Sequence, residues 1–498
     1  MASFFNTPLS KAVKICGALA IPSQEGKCRL VQFAEMLKKG CVMVVMLAFN
    51  FASHAQTLNQ KLQTAFTRLQ QDPQNTYASL SLTVLDAKTG EVVFAANPNT
   101  GLSTASTLKT ITTITAMNLL GPDYRFKTSL TGFGLLQKDG TFAGNIIIHA
   151  GDDPTLGSFR WDQTNESTVL FEFVDAIKKA GIKKILGQVY AEGTNHELPG
   201  WIWQDIGNYY GAFPANLCWR ENSYDILLEP TKPGHSVEMT GTVPKMPYLQ
   251  FDNQLKTGAP GSGDNAYATI PVNGNWVYLQ GTYATDQEKR KISAALPDPA
   301  YEAARRLTDT LRQAGITVAG NPKTASMHLL NEDNFDLGKA YFFTTHYSPP
   351  LRKIIYWLNQ KSINLYAEQL LLAMADSLKT TDRPSVIRNF WKDRGIDKNS
   401  LNVADGSGLS PANRVTTITM AKILQSAKKE AWYPDFFASL PVYNNMHMKS
   451  GTIGGTLAYA GYQTYQGREL CFSIIENNFS GKTSDIRQKM FKVLDEMK

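Results

Sequence analysis

Three features of the 498-residue chain predict an α+β fold in which one antiparallel sheet flanked by helices is interrupted by a β-rich insertion. Strand-forming stretches stand near both ends of the chain, and strongly helical stretches lie beside them. The middle of the chain, from about 126 to 345, breaks into short strands separated by Gly, Pro, Asn and Asp turns, with only two helices. This order assigns 56–125 and 346–498 to one split domain and 126–345 to one or two small inserted domains. Residues 1–55 form a leader.

Taken in order, Thr57 to Leu69 has the spacing of an amphipathic helix, and Tyr77 to Leu85 alternates as a strand. Asp86-Ala87-Lys88-Thr89-Gly90 turns that strand back into Glu91 to Ala95. Thr110 to Leu120 is an apolar, threonine-rich helix that stops at Gly121-Pro122. In the middle block, strands are expected at Phe126–Gly132, Asn145–His149, Ile185–Ala191, Val237–Val243 and Trp276–Gly281. Its helices are Ser167–Lys179 and Pro299–Ala314, and 258–263 reads as a loop. Helices return at Leu351–Asn359, Asn364–Ala375, Pro384–Arg394 and Thr416–Lys428. Strands at Leu457–Tyr465 and Glu469–Ile475 and a helix from Ser484 close the chain. The N-terminal hairpin and these two strands are expected to share one antiparallel sheet.

Composition narrows the function. Hydrophobic residues make up 43% and charged residues 19%, as in a globular protein. Of the net charge of +7, residues 1–55 carry +4 (six Lys/Arg against two Glu), leaving +3 and no basic helix for nucleic acid. Lys38-Lys39, the apolar run Cys41 to Phe51 and Ser53-His54-Ala55 have the three parts of a signal peptide over 36–55. Met36 is then the natural start, and cleavage after Ala55 leaves an exported protein without a stable membrane span. Of five cysteines only Cys218 and Cys471 lie beyond the leader, and spacing leaves open whether they pair. No Cys/His cluster has metal-ligand spacing, so neither metal nor cofactor is expected. The absence of a GxSxG elbow argues against a Ser-His-Asp hydrolase.

The motif that organises the chain is Ser106-Thr107-Leu108-Lys109, at the start of the threonine-rich helix. Residues three apart share a helix face, so the Lys109 amine can reach the Ser106 hydroxyl and serve as its base once deprotonated. Such a pair needs a second hydroxyl or amide to pass the proton, a cation for an anionic substrate end, and an oxyanion hole. Ser362-Ile363-Asn364 meets the first need at a helix junction. Lys449-Ser450-Gly451-Thr452 meets the other two on a strand, with the Lys449 side chain in the site, Gly451 admitting the substrate backbone, and the Thr452 amide paired with that of Ser106. Decoys exist for every piece: Ser426 to Lys429, Ser400 to Asn402, Lys88 to Gly90 and Lys256 to Gly258, the last two placed in turns or loops off any strand edge. Only Ser106, Ser362 and Lys449 combine a helix start, a helix junction and a strand in that order. Gly481-Lys482-Thr483 reads as a turn and not as a phosphate loop, because position 476 is Glu.

These three motifs resemble those of the penicillin-recognising serine enzymes. The 256 residues between Ser106 and Ser362 narrow the resemblance to the D-alanyl-D-alanine carboxypeptidase/endopeptidase group of low-molecular-mass penicillin-binding proteins. Gly151 to Leu156, Gly200 to Asp205 and Asp405 to Ser410 agree with it, so that the likeness spans 57–497. The resemblance implies a β-lactamase/transpeptidase-like catalytic domain in the periplasm, acting on peptidoglycan stem peptides and acylated by β-lactams. By it, Ser106 is the nucleophile, Lys109 the base and Ser362 the relay, while Asn364 holds substrate and Lys109. Lys449 and Ser450 receive the terminal carboxylate, and Asp205 contacts the amino end of the third stem-peptide residue, a carboxylate being the fitting partner for an ammonium. Ser450 departs from the usual Thr but keeps the hydroxyl. The stretch from Asp405 to Lys449 is short and ends in the unusual Asn444 to Met448, which bears on substrate preference. Two rival readings are a serine β-lactamase, marked by rapid deacylation, and a wall-binding protein with a vestigial site.

Overall fold

The helix Leu108–Leu119 is buried on nearly every side, although five of its residues are threonine or lysine. Three hydroxyls solve this by bonding back along the chain, Thr110 to the Thr107 carbonyl, Thr113 to Lys109 and Thr115 to Ile111 at 2.7–2.8 Å, and Thr112 donates to the Gly406 carbonyl at 2.6 Å. A helix so satisfied can stand inside a core. Helices Asn364–Ser377 and Thr417–Ala427 flank it, and its apolar residues join theirs in one hydrophobic cluster.

In this computed structural model the described residues are 56–196, 200–271, 274–324 and 339–498. The leader with its cleavage site lies outside them. No helix among the described residues is long and apolar enough to cross a membrane.

The principal sheet has six antiparallel strands in the spatial order Val442–Tyr443, Met446–Ile453, Thr456–Tyr465, Arg468–Asn477, Ser79–Asp86, Val92–Ala96. The N-terminal hairpin and the two C-terminal strands do share a sheet, with Leu82 opposite Ile474 and Tyr459 opposite Ile474 on the other side. The fold is thus α+β, as the sequence predicted.

Two further hydrophobic clusters lie between the halves of this region. One gathers Leu130, Phe142, Ile146 and Phe173 with Leu307 and Leu311, under a sheet built on Lys127–Leu136 and Thr141–His149. The other gathers residues from Ala212 to Leu296, most of them on the strands between Ser223 and Ala295, while Leu217 and Trp219 within that span belong to the first.

Several local expectations change. Ile185–Ala191 is two strands, Lys184–Ile185 and Val189–Ala191, both parallel to Thr141–His149. They are separated at Gly187, where a β-carbon would stand 2.4 Å from the Gly144 carbonyl oxygen. Lys256–Gly258, expected in a loop, is a short strand parallel to Trp276–Ala284. Lys339–Tyr347, not foreseen at all, is a nine-residue strand pairing with Lys127–Leu136.

Candidate active site

Ser106 lies in a 3-10 turn, Ala105–Thr107, that runs directly into Leu108–Leu119. The turn is strained, since Ala105 has φ +44° in the left-handed region that a β-carbon disfavours. Two neighbours press on it. A β-carbon on Gly408 would stand 1.9 Å from the Ala105 carbonyl oxygen, and one on Gly451 would stand 2.5 Å from that of Thr104. Glycines therefore let a loop and the strand Met446–Ile453 close on the serine from two sides.

The Lys109 amine donates to the Ser106 hydroxyl at 3.0 Å, to the Asn364 amide oxygen at 2.6 Å and to the Ser407 carbonyl at 2.7 Å. It is fully buried. Burial lowers its pKa from 10.5 to about 7, against the opposing charges of Asp405 and Glu368. Asn364 is oriented from its other end, where the side-chain amide donates to the Tyr210 carbonyl at 2.7 Å.

The Asp405 to Ser410 segment carries the Ser407 carbonyl. Asp405 is buried and accepts from the Gly408 and Ser410 amides, the Asn413 side chain and the Trp201 indole at 2.6–3.0 Å. Glu368 accepts from the Gly406 amide at 2.9 Å and the Ser407 amide at 2.8 Å. Burial raises its pKa well above the carboxylate range, and the neighbouring Asp405 charge adds to the effect. Glu368 was missed in the sequence. Its one signal is a carboxylate, followed by Gln369, inside the otherwise largely apolar run Leu365 to Ala375.

Ser106, Ser362, Asn364, Thr452 and Asp205 line one cavity of about 750 Å³. Ser362 occupies a left-handed position, φ +56° and ψ +43°, at the junction of Leu351–Lys361 and Asn364–Ser377. Asp205 and Tyr210 are neighbours; burial raises the pKa of both, that of Tyr210 to about 12 with help from the Asp205 charge. Segments from the middle of the chain thus wall the cavity opposite the serine. They are anchored by Trp201 on Asp405, by Asn364 on Tyr210, and by the Tyr366 hydroxyl, which donates to Glu221 at 2.8 Å.

Lys449-Ser450-Gly451 lies on the strand that packs against the Ser106 turn. By the two-residue strand period Lys449 and Gly451 share a face, and it is the Ser106 turn that this face meets. What lies against Gly451 is therefore the protein's own backbone. The Lys449 amine is buried and donates to the Ser450 carbonyl at 2.8 Å. Burial and the charge of Lys109 lower its pKa well below the usual lysine value. Of this motif, Thr452 is the member that lines the cavity. Cys218 and Cys471 are both free and buried, which settles the pairing left open by spacing.

Fold and site together define a serine–lysine protein: a six-stranded antiparallel sheet, a buried helix headed by the serine, and a lysine one turn along it. The family model for the D-Ala-D-Ala carboxypeptidase 3 (S13) family matches residues 62–497, and the chain belongs to that family. It is 24% identical over 446 residues to a D-alanyl-D-alanine carboxypeptidase of Actinomadura sp., covering 82% of this chain and 80% of that protein. It is 26% identical over 431 residues to the D-alanyl-D-alanine carboxypeptidase DacB of Haemophilus influenzae, covering 80% and 85%. The crystal structure of penicillin binding protein 4 (dacB) from Haemophilus influenzae superimposes with a TM-score of 0.70 at 22% identity, over 86% of this chain and 97% of that one.

Proposed function

We propose that the chain is a serine-type D-Ala-D-Ala carboxypeptidase, with endopeptidase action on cross-linked stem peptides, working through a Ser106 acyl-enzyme. The observation that carries this is the Lys109 amine: buried, 3.0 Å from the Ser106 hydroxyl, and with its pKa lowered to about 7. Neutral Lys109 takes the hydroxyl proton as Ser106 Oγ attacks the carbonyl carbon of the penultimate D-alanine. The C–N bond breaks, Ser362 passes a proton to the leaving amine, and D-alanine departs. Water then hydrolyses the ester and restores Ser106.

The backbone amides of Ser106 and Thr452 hold the developing oxyanion. Lys449 and Ser450 take the substrate's terminal carboxylate, whose negative charge favours the protonated form of Lys449 that burial disfavours. Asp205 takes the amino end of the third stem-peptide residue. β-Lactams acylate the same hydroxyl. The basic, apolar and small segments of 36–55 support export to the periplasm.

Fluorescent penicillin labelling, together with D-alanine release from a stem pentapeptide, tests this reading. Both are expected in the native chain and absent in Ser106→Ala. Equal labelling of the two proteins would refute it, and rapid turnover of penicillin would favour a β-lactamase.

A further inference from the structure

One exposed sheet face carries side chains unsuited to plain solvent. In the antiparallel pair Asp264–Thr269 and Trp276–Ala284, Tyr267 stands opposite Gln280 and Thr269 opposite Tyr278. By the two-residue period these four share one face, while Ala268, Val277 and Leu279 fill the core on the other. Trp276 extends the same row, its ring stacked on Tyr278 with centroids 6.4 Å apart and planes 20° apart. The distant turn at 203–205 adds Trp203, 68% exposed, and Gln204. Apart from Trp276, which stands beside it, these residues line a pocket of about 540 Å³ with Pro271. Open aromatic surface of this kind marks a ligand site more often than it decorates a solvated sheet.

The chemistry of the lining restricts the ligand. The walls are aromatic faces, and the polar groups are two amides, a threonine hydroxyl and tyrosine hydroxyls. Among the described residues no charged side chain lines the pocket, so a phosphate backbone would find no cation among them. A neutral, hydroxyl-rich ring with apolar C–H faces fits both features.

Position restricts it further. Ile202 and Asp205 line the catalytic cavity, whereas Trp203 and Gln204, between them in sequence, line this pocket. The bridge is fixed to the sheet: Asn208 accepts from the Ala268 amide at 3.1 Å, and a β-carbon on Gly207 would stand 2.5 Å from the Ala268 carbonyl oxygen. A substrate whose peptide enters the cavity and whose other end is a sugar chain would reach both.

We propose that the Trp203–Tyr267–Tyr278 pocket binds the glycan part of the polymeric substrate, stacking an N-acetylated sugar ring on its aromatic faces. This inference rests on the reading of the catalytic cavity given above and deepens it.

The test is isothermal titration of the full chain with the β-1,4-linked tetramer of N-acetylglucosamine. Saturable binding is expected, weakened about tenfold or more by Tyr278→Ala and by Trp203→Ala, as loss of an aromatic stacking surface implies. The thermal unfolding midpoint checks that each variant folds, with Gln280→Ala in reserve should one fail. On substrates, the ratio of kcat/KM for a disaccharide-linked pentapeptide to that for the free pentapeptide should fall in Tyr278→Ala, through KM. Absent sugar binding, or binding that neither substitution alters, overturns the inference; so does decaproline binding at the pocket in place of sugar. If D-alanine is released but sugar does not bind, this inference alone fails. If sugar binds and no D-alanine is released, the catalytic reading fails and the glycan site stands.

Discussion

Gly451 lies so close to Ser106 that a β-carbon on the glycine would stand 2.9 Å from the serine's amide nitrogen. The same added carbon would meet the Thr107 amide nitrogen at 2.9 Å and the Thr104 carbonyl oxygen at 2.5 Å. The strand and the Ser106 turn are therefore in close backbone approach, which the absence of a side chain at Gly451 permits.

Gly451→Ala should push the strand Met446–Ile453 off the turn. Overpacking of this kind costs about 1–3 kcal/mol, and the separation of the Ser106 and Thr452 amides should slow penicillin acylation as well. Denaturant unfolding and stopped-flow acylation check both effects. Unchanged values in the two assays would show that the contact does not govern the site.

In the proposed mechanism Lys109 sets the pH dependence. Its pKa is lowered to about 7, so its neutral, proton-accepting form is the minority below that pH and predominates above it. Acylation should rise with pH through about 7 and then level off, falling about tenfold per pH unit on the acid side. Lys109→Arg keeps a permanent charge and should lower acylation by roughly 10²–10⁴-fold. A flat profile between pH 6 and 8 would remove Lys109 from the role of base.

Glu368 has the placement of a positioning residue. It touches neither Ser106 nor the cavity, but it fixes the Gly406 and Ser407 amides and so the carbonyl that holds Lys109. Glu368→Ala leaves those amides unpaired, costing about 1–3 kcal/mol of stability, and should shift the midpoint of the acylation pH profile. Glu368→Gln keeps an acceptor and should restore much of both. If Ala moves stability without moving that midpoint, the role is purely structural.

Asp205 should act on substrate and not on β-lactam. Asp205→Asn should raise KM for a stem peptide with a free amine on its third residue by about tenfold, as for loss of one charge-assisted hydrogen bond. Penicillin acylation, which lacks that ammonium, serves as the internal comparison. An equal fall on both would place Asp205 in the general architecture of the cavity.

Part of this was legible in one dimension. Thr110 to Leu120 was readable as a helix because its composition and its Gly121-Pro122 stop are local signals, and the structure places the helix at Leu108–Leu119. Lys339–Tyr347 was not, since its pairing partner Lys127–Leu136 lies about two hundred residues away. Glu368 escaped because one carboxylate on a helix carries no chemistry until the Gly406 and Ser407 amides meet it. Gly451 was read as letting a substrate backbone lie close; that its side-chain position is filled by the Ser106 turn is a contact no local pattern shows.

The sequence by itself determined the α+β order of elements and the three ordered motifs, because helix periodicity, turn residues and side-chain type are properties of neighbouring positions. It also placed Lys109 within reach of Ser106, since one helical turn fixes that spacing. Only the tertiary structure decided that Lys109 is buried and held by Asn364 and Ser407, that Lys449 sits against the Ser106 turn, and that the middle of the chain walls the cavity. Desolvation and backbone contact arise between segments hundreds of residues apart, and no local pattern encodes them.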